Sequence, residues 1–336
     1  MGQLLEVDRL QVAFRMDQGE VIAVDDVSFT LEHGETIAIV GESGCGKSVT
    51  SLSIMGLLGA NGSVRHGDIK FNSSSLINCS QAQLRKLRGS EIAMIFQEPM
   101  TSLNPVFSIG EQIEETIRQH LNLSRKEVKL LAVDLLRKVG IPRAESIIKE
   151  YPHALSGGMR QRVMIAMALA CQPELLIADE PTTALDVTIQ AQILALMKQL
   201  QAESGAAILL VTHDLGVVAE MADKVVVMYA GQVVESADVF TLFRAPKHPY
   251  TQGLMKSTLR LDQVNRERLQ TIPGSVPSFQ KMPAGCRFHP RCPHTIARCQ
   301  QEQPDLTTNG QGHHVRCWLM DLPNVSNEEH TQAVRL

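Results

Sequence analysis

The chain reads Gly41-Glu42-Ser43-Gly44-Cys45-Gly46-Lys47-Ser48 between a strand-like apolar run and a helix-like one. Glycines let backbone N–H groups curl around phosphates without a Cβ clash. Lys47 places a point charge on the terminal phosphates, and the Ser48 hydroxyl can occupy a coordination position of Mg²⁺. We therefore predict that these eight residues bind a nucleoside triphosphate.

The surroundings of this loop support the prediction. Residues 36–40 form a short apolar run typical of a buried strand, and residues 49–58 have the pattern of a helix. A phosphate-binding loop requires this order of strand, loop and helix.

Composition limits the class of protein. The chain has 336 residues, enough for one main domain with an appendage. A net charge of −4 and 4% aromatic residues disfavour a dedicated nucleic-acid binder. The N-terminus lacks the pattern of a signal peptide, and no apolar run approaches the roughly 18 residues of a membrane span. We expect a cytoplasmic chain, in which clustered cysteines would be metal ligands or core residues.

The hydrophobic pattern predicts an α/β fold. Alternating residues in the first ninety positions indicate an antiparallel sheet, and four later apolar runs suit buried parallel strands at 92–96, 175–178, 207–211 and 225–228. Helical spacing between residues 97 and 155 predicts an inserted helical subdomain. After Ser236 the chain becomes rich in proline, which predicts a separate, small, irregular tail.

A second candidate catalytic element lies at residues 175–180, an apolar strand-like run followed by two acids. It ends in Asp179 and Glu180, adjacent carboxylates with different tasks. Asp179 is predicted to hold Mg²⁺, and Glu180 to act as the general base on the attacking water. Two solvated acids at a strand end are the alternative, which the nearby phosphate-binding loop disfavours.

The stretch Leu155-Ser156-Gly157-Gly158-Met159-Arg160-Gln161-Arg162 resembles the signature of ATP-binding cassette (ABC) ATPases. A serine and two glycines at a helix start offer N–H groups and the positive end of the helix dipole to an anion. The same residues would equally suit a helix whose serine is only an N-cap.

The resemblance covers residues 1–240 and implies roles for further residues. Phe14 stands where the family has its adenine-stacking aromatic residue. Gln97 resembles the loop glutamine that senses Mg²⁺ and the attacking water, and His213 resembles the histidine that contacts the γ-phosphate. The segment Ala184-Leu185-Asp186 resembles a loop through which two subunits touch.

The family resemblance implies a dimer, with ATP between one subunit's phosphate-binding loop and the partner's Ser156-Gly157-Gly158. Residues 97–105 and 244–251 are similar to segments of ATPase subunits from bacterial dipeptide and oligopeptide importers, which have nickel-importing relatives. Without the resemblance, residues 244–251 would be an extended, proline-rich connector. The domains implied are an ATPase at 1–240, with its helical subdomain at about 98–163, and an importer-type extension at 241–336.

This resemblance implies that ATP hydrolysis powers import, most simply of di- and oligopeptides, with nickel or another small solute as the alternative. The implied partners are a second, related ATPase chain, two transmembrane permease subunits and, indirectly, an external solute-binding protein, without nucleic acid. The implied location is the cytoplasmic face of the cell membrane.

Four of the seven cysteines, Cys286, Cys292, Cys299 and Cys317, lie within 32 residues. Four thiolates suit zinc or an iron–sulfur cluster, and the spacing leaves the metal open. Relatives in the importer subfamily carry a [4Fe–4S] cluster at similar cysteines, so the resemblance favours that cluster over zinc. We expect it to staple a segment that lacks its own core rather than to sense redox state.

Two functions of other classes are alternatives. A soluble cassette ATPase could act on ribosomes or nucleic acid, but such factors usually carry two cassettes and this chain has one phosphate-binding loop. A redox-regulatory protein would not need the complete hydrolytic set.

Overall fold

The structure is a computed structural model that describes residues 2–17, 19–97, 102–183, 185–257, 271–308, 310 and 312–321. Its strands are β1 (Gln3–Met16), β2 (Gly19–Glu32), β3 (Thr36–Val40), β4 (Gly62–Phe71), β5 (Ser74–Ser75), β6 (Ile92–Ile95), β7 (Leu175–Asp179), β8 (Ala207–Thr212), β9 (Lys224–Tyr229), β10 (Gln232–Asp238), β11 (Thr307–Thr308) and β12 (His314–Val315). Its helices are α1 (Lys47–Ile54), α2 (Gln81–Leu87), α3 (Ile109–His120), α4 (Arg125–Lys138), α5 (Ala144–Ile147), α6 (Gly157–Ala168), α7 (Val187–Ser204), α8 (Leu215–Met221), α9 (Val239–Arg244), α10 (Pro249–Ser257) and α11 (Ala297–Gln301). Short 3₁₀ turns lie at Pro152–Ala154, His289–Arg291 and Trp318–Asp321.

The larger sheet has the strand order β11-β12-β10-β9-β3-β8-β7-β6. Strands β6, β7, β8, β3 and β9 run parallel to one another, as their apolar runs predict. Every residue of β3, β7 and β8 is buried, since structure covers both faces of this part of the sheet.

The smaller sheet confirms the antiparallel prediction for the N-terminal segment. Its order is β2-β1-β4-β5, with β1 paired antiparallel to both β2 and β4. Leu5 and Phe29 from this sheet pack in one cluster with Ile39 and Ile177 of the larger sheet. The two sheets therefore share one apolar core.

The helices predicted between residues 97 and 155 are present. Ile109, Ile113 and Ile117 all lie buried on α3, in one cluster with Val128 of α4 and Val163 of α6. Serine begins both α3 and α4 with a capping box. Residues 98–101, where the predicted subdomain begins, lie outside the described residues.

The C-terminal segment differs from its prediction in two ways. The prediction of an extended connector at 244–251 is wrong for residues 249–251, which are helical. Pro249 begins helix α10, where its missing N–H costs nothing. The tail is irregular but not separate. Its strand β12 pairs with β10, and Phe288 contacts the ring of Tyr229 with the centroids 5.1 Å apart.

Candidate functional site

Four loops that follow parallel strands meet at one edge of the larger sheet. They follow β3, β6, β7 and β8, whose carboxyl ends lie side by side. Binding sites of parallel sheets lie at this edge. The predicted residues Gln97, Glu180 and His213 come from these loops, and Lys47 is the first residue of the helix that follows one of them.

Glycine is required in the phosphate-binding loop for steric reasons. Gly46 has φ +103°, a left-handed conformation, and a Cβ there would lie 2.8 Å from the Ala23 carbonyl oxygen. A Cβ on Gly41 would lie 2.2 Å from the Met228 carbonyl oxygen. The loop therefore adopts its curve only with these glycines, and α1 begins directly after it at Lys47.

The cation of Lys47 lies inside the loop. Its Nζ donates to the carbonyl oxygens of Gly41 (2.8 Å) and Glu42 (3.1 Å), and the residue is buried. These are neutral acceptors, so the ammonium charge is available to an incoming phosphate.

Ser48 and Asp179 meet as predicted for a shared Mg²⁺ site. The Ser48 hydroxyl donates to Asp179 Oδ1 at 3.1 Å. Burial raises the pKa of Asp179, and the hydrogen bond from Ser48 opposes that shift. A divalent cation held by these two residues would offset the free-energy cost of burying the ionised Asp179 carboxylate, so the donor set fits Mg²⁺.

Glu180 is the centre of the hydrogen-bond network at this edge. Its Oε2 accepts from Gln97 Nε2 (3.0 Å) and Thr183 Oγ1 (2.8 Å), and its Oε1 lies 3.1 Å from His213 Nδ1. The three residues predicted to be catalytic are thus brought together. Thr183 was not predicted, because a hydroxyl three residues after an acid carries no signal of its own.

The backbone and electrostatics of Glu180 are unusual. Its φ is +47°, uncommon for a residue with a side chain, and its N–H donates to the Val211 carbonyl oxygen at 2.8 Å. Burial raises its pKa, but hydrogen bonds from Thr183 and His213 outweigh burial and lower the pKa overall. Glu180 is therefore held ionised, as a carboxylate that positions or deprotonates water must be.

The Ser156-Gly157-Gly158 segment, called the Ser156 element below, lies at the start of α6 and is not part of this hydrogen-bond network. Ser156 is the N-cap of α6, its Oγ accepting from Met159 N at 3.4 Å, and both Ser156 and Gly157 are exposed. The first turn of α6 has no acidic residue. Within the described ranges, no hydrogen bond joins residues 156–158 to the phosphate-binding loop. This helix start is therefore open to an anion from outside the molecule.

Three other predicted residues, Asp186, Gly158 and Phe14, have contacts that stabilise the fold. Asp186 is the N-cap of α7, and its Oδ1 accepts from Ile189 N at 3.0 Å. Gly158 packs so closely on Ile189 that a Cβ would lie 2.9 Å from its side chain. Ala184, the first residue of the segment predicted to contact a second subunit, lies outside the described residues. Phe14 is half-buried on β1 opposite Gly62 and packs against the core.

The sequence matches known protein families along much of its length. A family model described as "ABC transporter" matches residues 24–183, and one described as "Oligopeptide/dipeptide transporter, C-terminal region" matches residues 234–299. The chain is 55% identical over 322 residues to the oligopeptide transport ATP-binding protein AppD of Bacillus subtilis, covering 96% of this chain and 98% of AppD. It belongs to the oligopeptide/dipeptide ABC transporter family.

Two further matches agree with this family. The dipeptide transport ATP-binding protein DppD of Escherichia coli is 51% identical over 314 residues, with 94% of this chain and 96% of DppD covered. The solved dimeric ATP-binding cassette MJ0796, bound to ADP and phosphate, superposes with a TM-score of 0.64 at 27% identity. It covers 70% of this chain and 99% of its own. The predicted ABC fold, ATP binding and ATPase class are confirmed.

The four clustered cysteines of this ABC ATPase share one neighbourhood. Cys286 N donates to the Cys299 carbonyl oxygen at 2.8 Å. Burial, together with the other three thiols, raises the pKa of Cys317 to about 12. Within the described ranges, however, no three histidine, cysteine or acidic side chains are gathered closely enough to hold a metal ion.

The other three cysteines lie outside this cluster. Cys45 is buried in the phosphate-binding loop, where burial raises its pKa, and Cys79 and Cys171 lie apart from the cluster. Among the helices of the described residues, none is long and apolar enough to cross a membrane.

Proposed function

We propose that this ABC ATPase hydrolyses ATP to power the import of di- and oligopeptides through a separate membrane permease. The observation that carries the proposal is the meeting of Gln97 and His213 on Glu180, beside the Ser48–Asp179 pair. The peptide substrate rests on the relatives, whose names describe oligopeptide and dipeptide transport.

In this proposal the phosphate-binding loop holds the triphosphate through its N–H groups and Lys47. Ser48, Asp179 and Gln97 would hold Mg²⁺, and the ion would supply positive charge that offsets the charge of the phosphates. Glu180 orients the attacking water and accepts its proton, while His213 contacts the γ-phosphate. Phe14 would stack on the adenine.

The other half of the nucleotide site is proposed to come from a partner subunit. Ser156 and Gly157 are exposed at the start of α6 and Gly158 is half-buried, and among the described residues no hydrogen bond joins the three to this chain's own phosphate-binding loop. Asp186 begins the helix that Gly158 packs on, so it would lie near the same interface. The structural relative is itself a dimer bound to ADP and phosphate.

We further propose that the partner is a related rather than identical ATPase chain, bound with two permease subunits at the cytoplasmic face of the membrane. Affinity purification of the intact complex, followed by mass spectrometry, tests this arrangement. Recovery of a second cassette protein and two integral membrane proteins is expected. Co-isolation with ribosomal particles instead would contradict it.

Transport itself tests the substrate. The purified complex in vesicles, with its external solute-binding protein, is expected to accumulate labelled di- or oligopeptides only when ATP is supplied. Accumulation of nickel without peptide uptake would replace this proposal with the nickel alternative.

The cysteine cluster is proposed to hold a [4Fe–4S] centre that staples the tail, with zinc as the alternative. The shared neighbourhood of four buried or half-buried thiols supports this, although they are not gathered into a ligand set. When bound, such a group would supply cross-links between Cys286, Cys292, Cys299 and Cys317. Metal and sulfide analysis of protein purified without oxygen tests it. Stoichiometric zinc without iron, or no metal at all, would contradict it.

A further inference from the structure

The C-terminal extension touches the phosphate-binding loop directly, at Glu42. The backbone N–H and the side-chain carboxylate of Glu42 each have a hydrogen-bond partner in the extension. Its backbone N–H donates to the Tyr250 hydroxyl at 2.8 Å. Its carboxylate receives two bonds from the Arg291 guanidinium, at 2.5 Å to Oε2 and 3.0 Å to Oε1. The two partners lie 208 and 249 residues away along the chain.

Arg291 is fixed firmly enough to hold this carboxylate. Its side chain is 4% exposed, and its other N–H groups donate to the carbonyl oxygens of Pro273 (2.9 Å) and Ile272 (3.3 Å). The guanidinium also lies over the ring of Tyr229, with 5.7 Å between its central carbon and the centroid. A forked pair of this kind fixes direction as well as charge.

Tyr250 is equally constrained. It is fully buried, and its ring lies 4.7 Å from that of Tyr229 and 5.4 Å from that of Phe288 between centroids. Its backbone N–H donates to His248 Nδ1 at 3.1 Å. The hydroxyl is therefore held at one place beside the loop.

The charge of Glu42 gives this contact a consequence for nucleotide binding. Lys47 Nζ lies 3.1 Å from the Glu42 carbonyl oxygen, so a freed Glu42 carboxylate would have the ammonium within reach. It would then compete with the phosphates for Lys47 and add like charge beside them. Arg291 prevents both by neutralising the carboxylate and holding it in the tail.

We propose that Arg291 and Tyr250 are positioning residues for ATP binding, acting through Glu42. The C-terminal extension thus completes the phosphate-binding loop of its own subunit. This rests on the nucleotide site and is independent of which solute is transported.

The test is a double-mutant cycle on the full-length chain, read as the dissociation constant for a fluorescent ATP analogue. Arg291→Ala is expected to weaken binding by about tenfold, the usual size for losing a charge-assisted bond. In a Glu42→Gln background, Arg291→Ala is expected to change binding by less than about twofold, because no carboxylate remains to be freed. Saturating ATP is expected to restore most of the hydrolysis rate of Arg291→Ala.

Arg287→Ala is the matched control. Arg287 also joins the tail to the core, through Asp25 and the Ala230 carbonyl oxygen, and within the described ranges it forms no hydrogen bond to the phosphate-binding loop. It is expected to bind ATP within about twofold of the wild type at a similar loss of melting temperature. Equal weakening by Arg287→Ala and Arg291→Ala would overturn the proposal, since tail docking alone would then explain the effect.

Two further results would also overturn it. One is wild-type affinity in Arg291→Ala, and the other is an unchanged effect of that substitution in the Glu42→Gln background. If Arg291→Ala does not fold, Tyr250→Phe replaces it, because it removes only one hydroxyl. That variant is expected to weaken ATP binding by roughly threefold, and wild-type affinity would count against the proposal.

Discussion

Two parts of this chain have groups suited to binding phosphate: the carboxyl edge of the larger sheet and the start of α6. They differ in how much of a nucleotide site each one forms within a single subunit. At the carboxyl edge of the larger sheet, Glu180 already joins Gln97, Thr183 and His213. At the start of α6, Ser156 is exposed, and among the described residues it forms hydrogen bonds only within the first turn of its own helix. The difference shows that the groups predicted to hydrolyse ATP come together within one subunit, and it supports the proposal that the Ser156 element serves the nucleotide site of another subunit.

The largest effect on ATP hydrolysis is expected at the sheet edge, where the catalytic residues already contact one another. Glu180→Gln should slow ATP hydrolysis by roughly 10²- to 10⁴-fold while retaining ATP binding, because it removes the base but keeps the shape of the side chain. Steady-state hydrolysis and nucleotide binding on the same preparation check this. Glu174→Gln is the control, since Glu174 is exposed just before the opposite end of β7 and bonds Asn72. Wild-type turnover in Glu180→Gln would remove that residue from the role.

The second prediction concerns the Ser156 element at the start of α6. Ser156→Arg should leave ATP binding to the isolated subunit unchanged but weaken ATP-driven association of subunits by roughly 30-fold or more, the size of an interface hot spot. Analytical ultracentrifugation with and without ATP measures this. Association at unchanged affinity would break the comparison, because the Ser156 element would then have no role between subunits.

A third prediction concerns the backbone of the phosphate-binding loop, on which both the sheet-edge site and the proposed subunit interface depend. Gly46→Ala should destabilise the fold by about 1–3 kcal/mol and impair ATP binding, because its left-handed φ and the Ala23 carbonyl oxygen both exclude a Cβ. Gly205→Ala shares the left-handed conformation but has open space around it, so it should cost less and leave binding intact. Denaturant unfolding with nucleotide titration compares the two. Equal effects would mean that the close approach to Ala23 is unimportant.

The smallest effect is expected at Asp186. Asp186→Ala removes the N-cap of α7 and should cost about 1 kcal/mol of stability. Ser124→Ala removes the N-cap of α4, in the helical region. If Asp186 lies at the subunit interface, its variant should also weaken ATP-driven association at matched stability, whereas Ser124→Ala should not. Identical association in both variants would sharpen the comparison by leaving Asp186 a purely structural role.

Much of the fold and of the sheet-edge site followed from sequence, for local reasons. Gln97, Glu180 and His213 each follow the end of a buried apolar run, and parallel strands bring such ends together. Lys47 belongs to the glycine-rich motif that follows another such run. The type of each residue then indicated its chemistry.

The rest depends on contacts between distant parts of the chain, which residue patterns do not carry. The proline-rich tail gave no sign that β12 would pair with β10, or that Arg291 would reach Glu42. A lone arginine or tyrosine is ordinarily a surface or core residue. The prediction of a separate tail failed for this reason.

The central claim is that ATP is held between the phosphate-binding loop of one subunit and the Ser156 element of another. A crystal structure of the Glu180→Gln chain, with its partner ATPase, Mg²⁺ and ATP, tests it most directly. We predict that a nucleotide bound by Lys47 of this chain is covered by the partner subunit, while this chain's Ser156 contacts the nucleotide of the opposite site. A nucleotide enclosed by Lys47 and Ser156 of the same molecule would contradict the account.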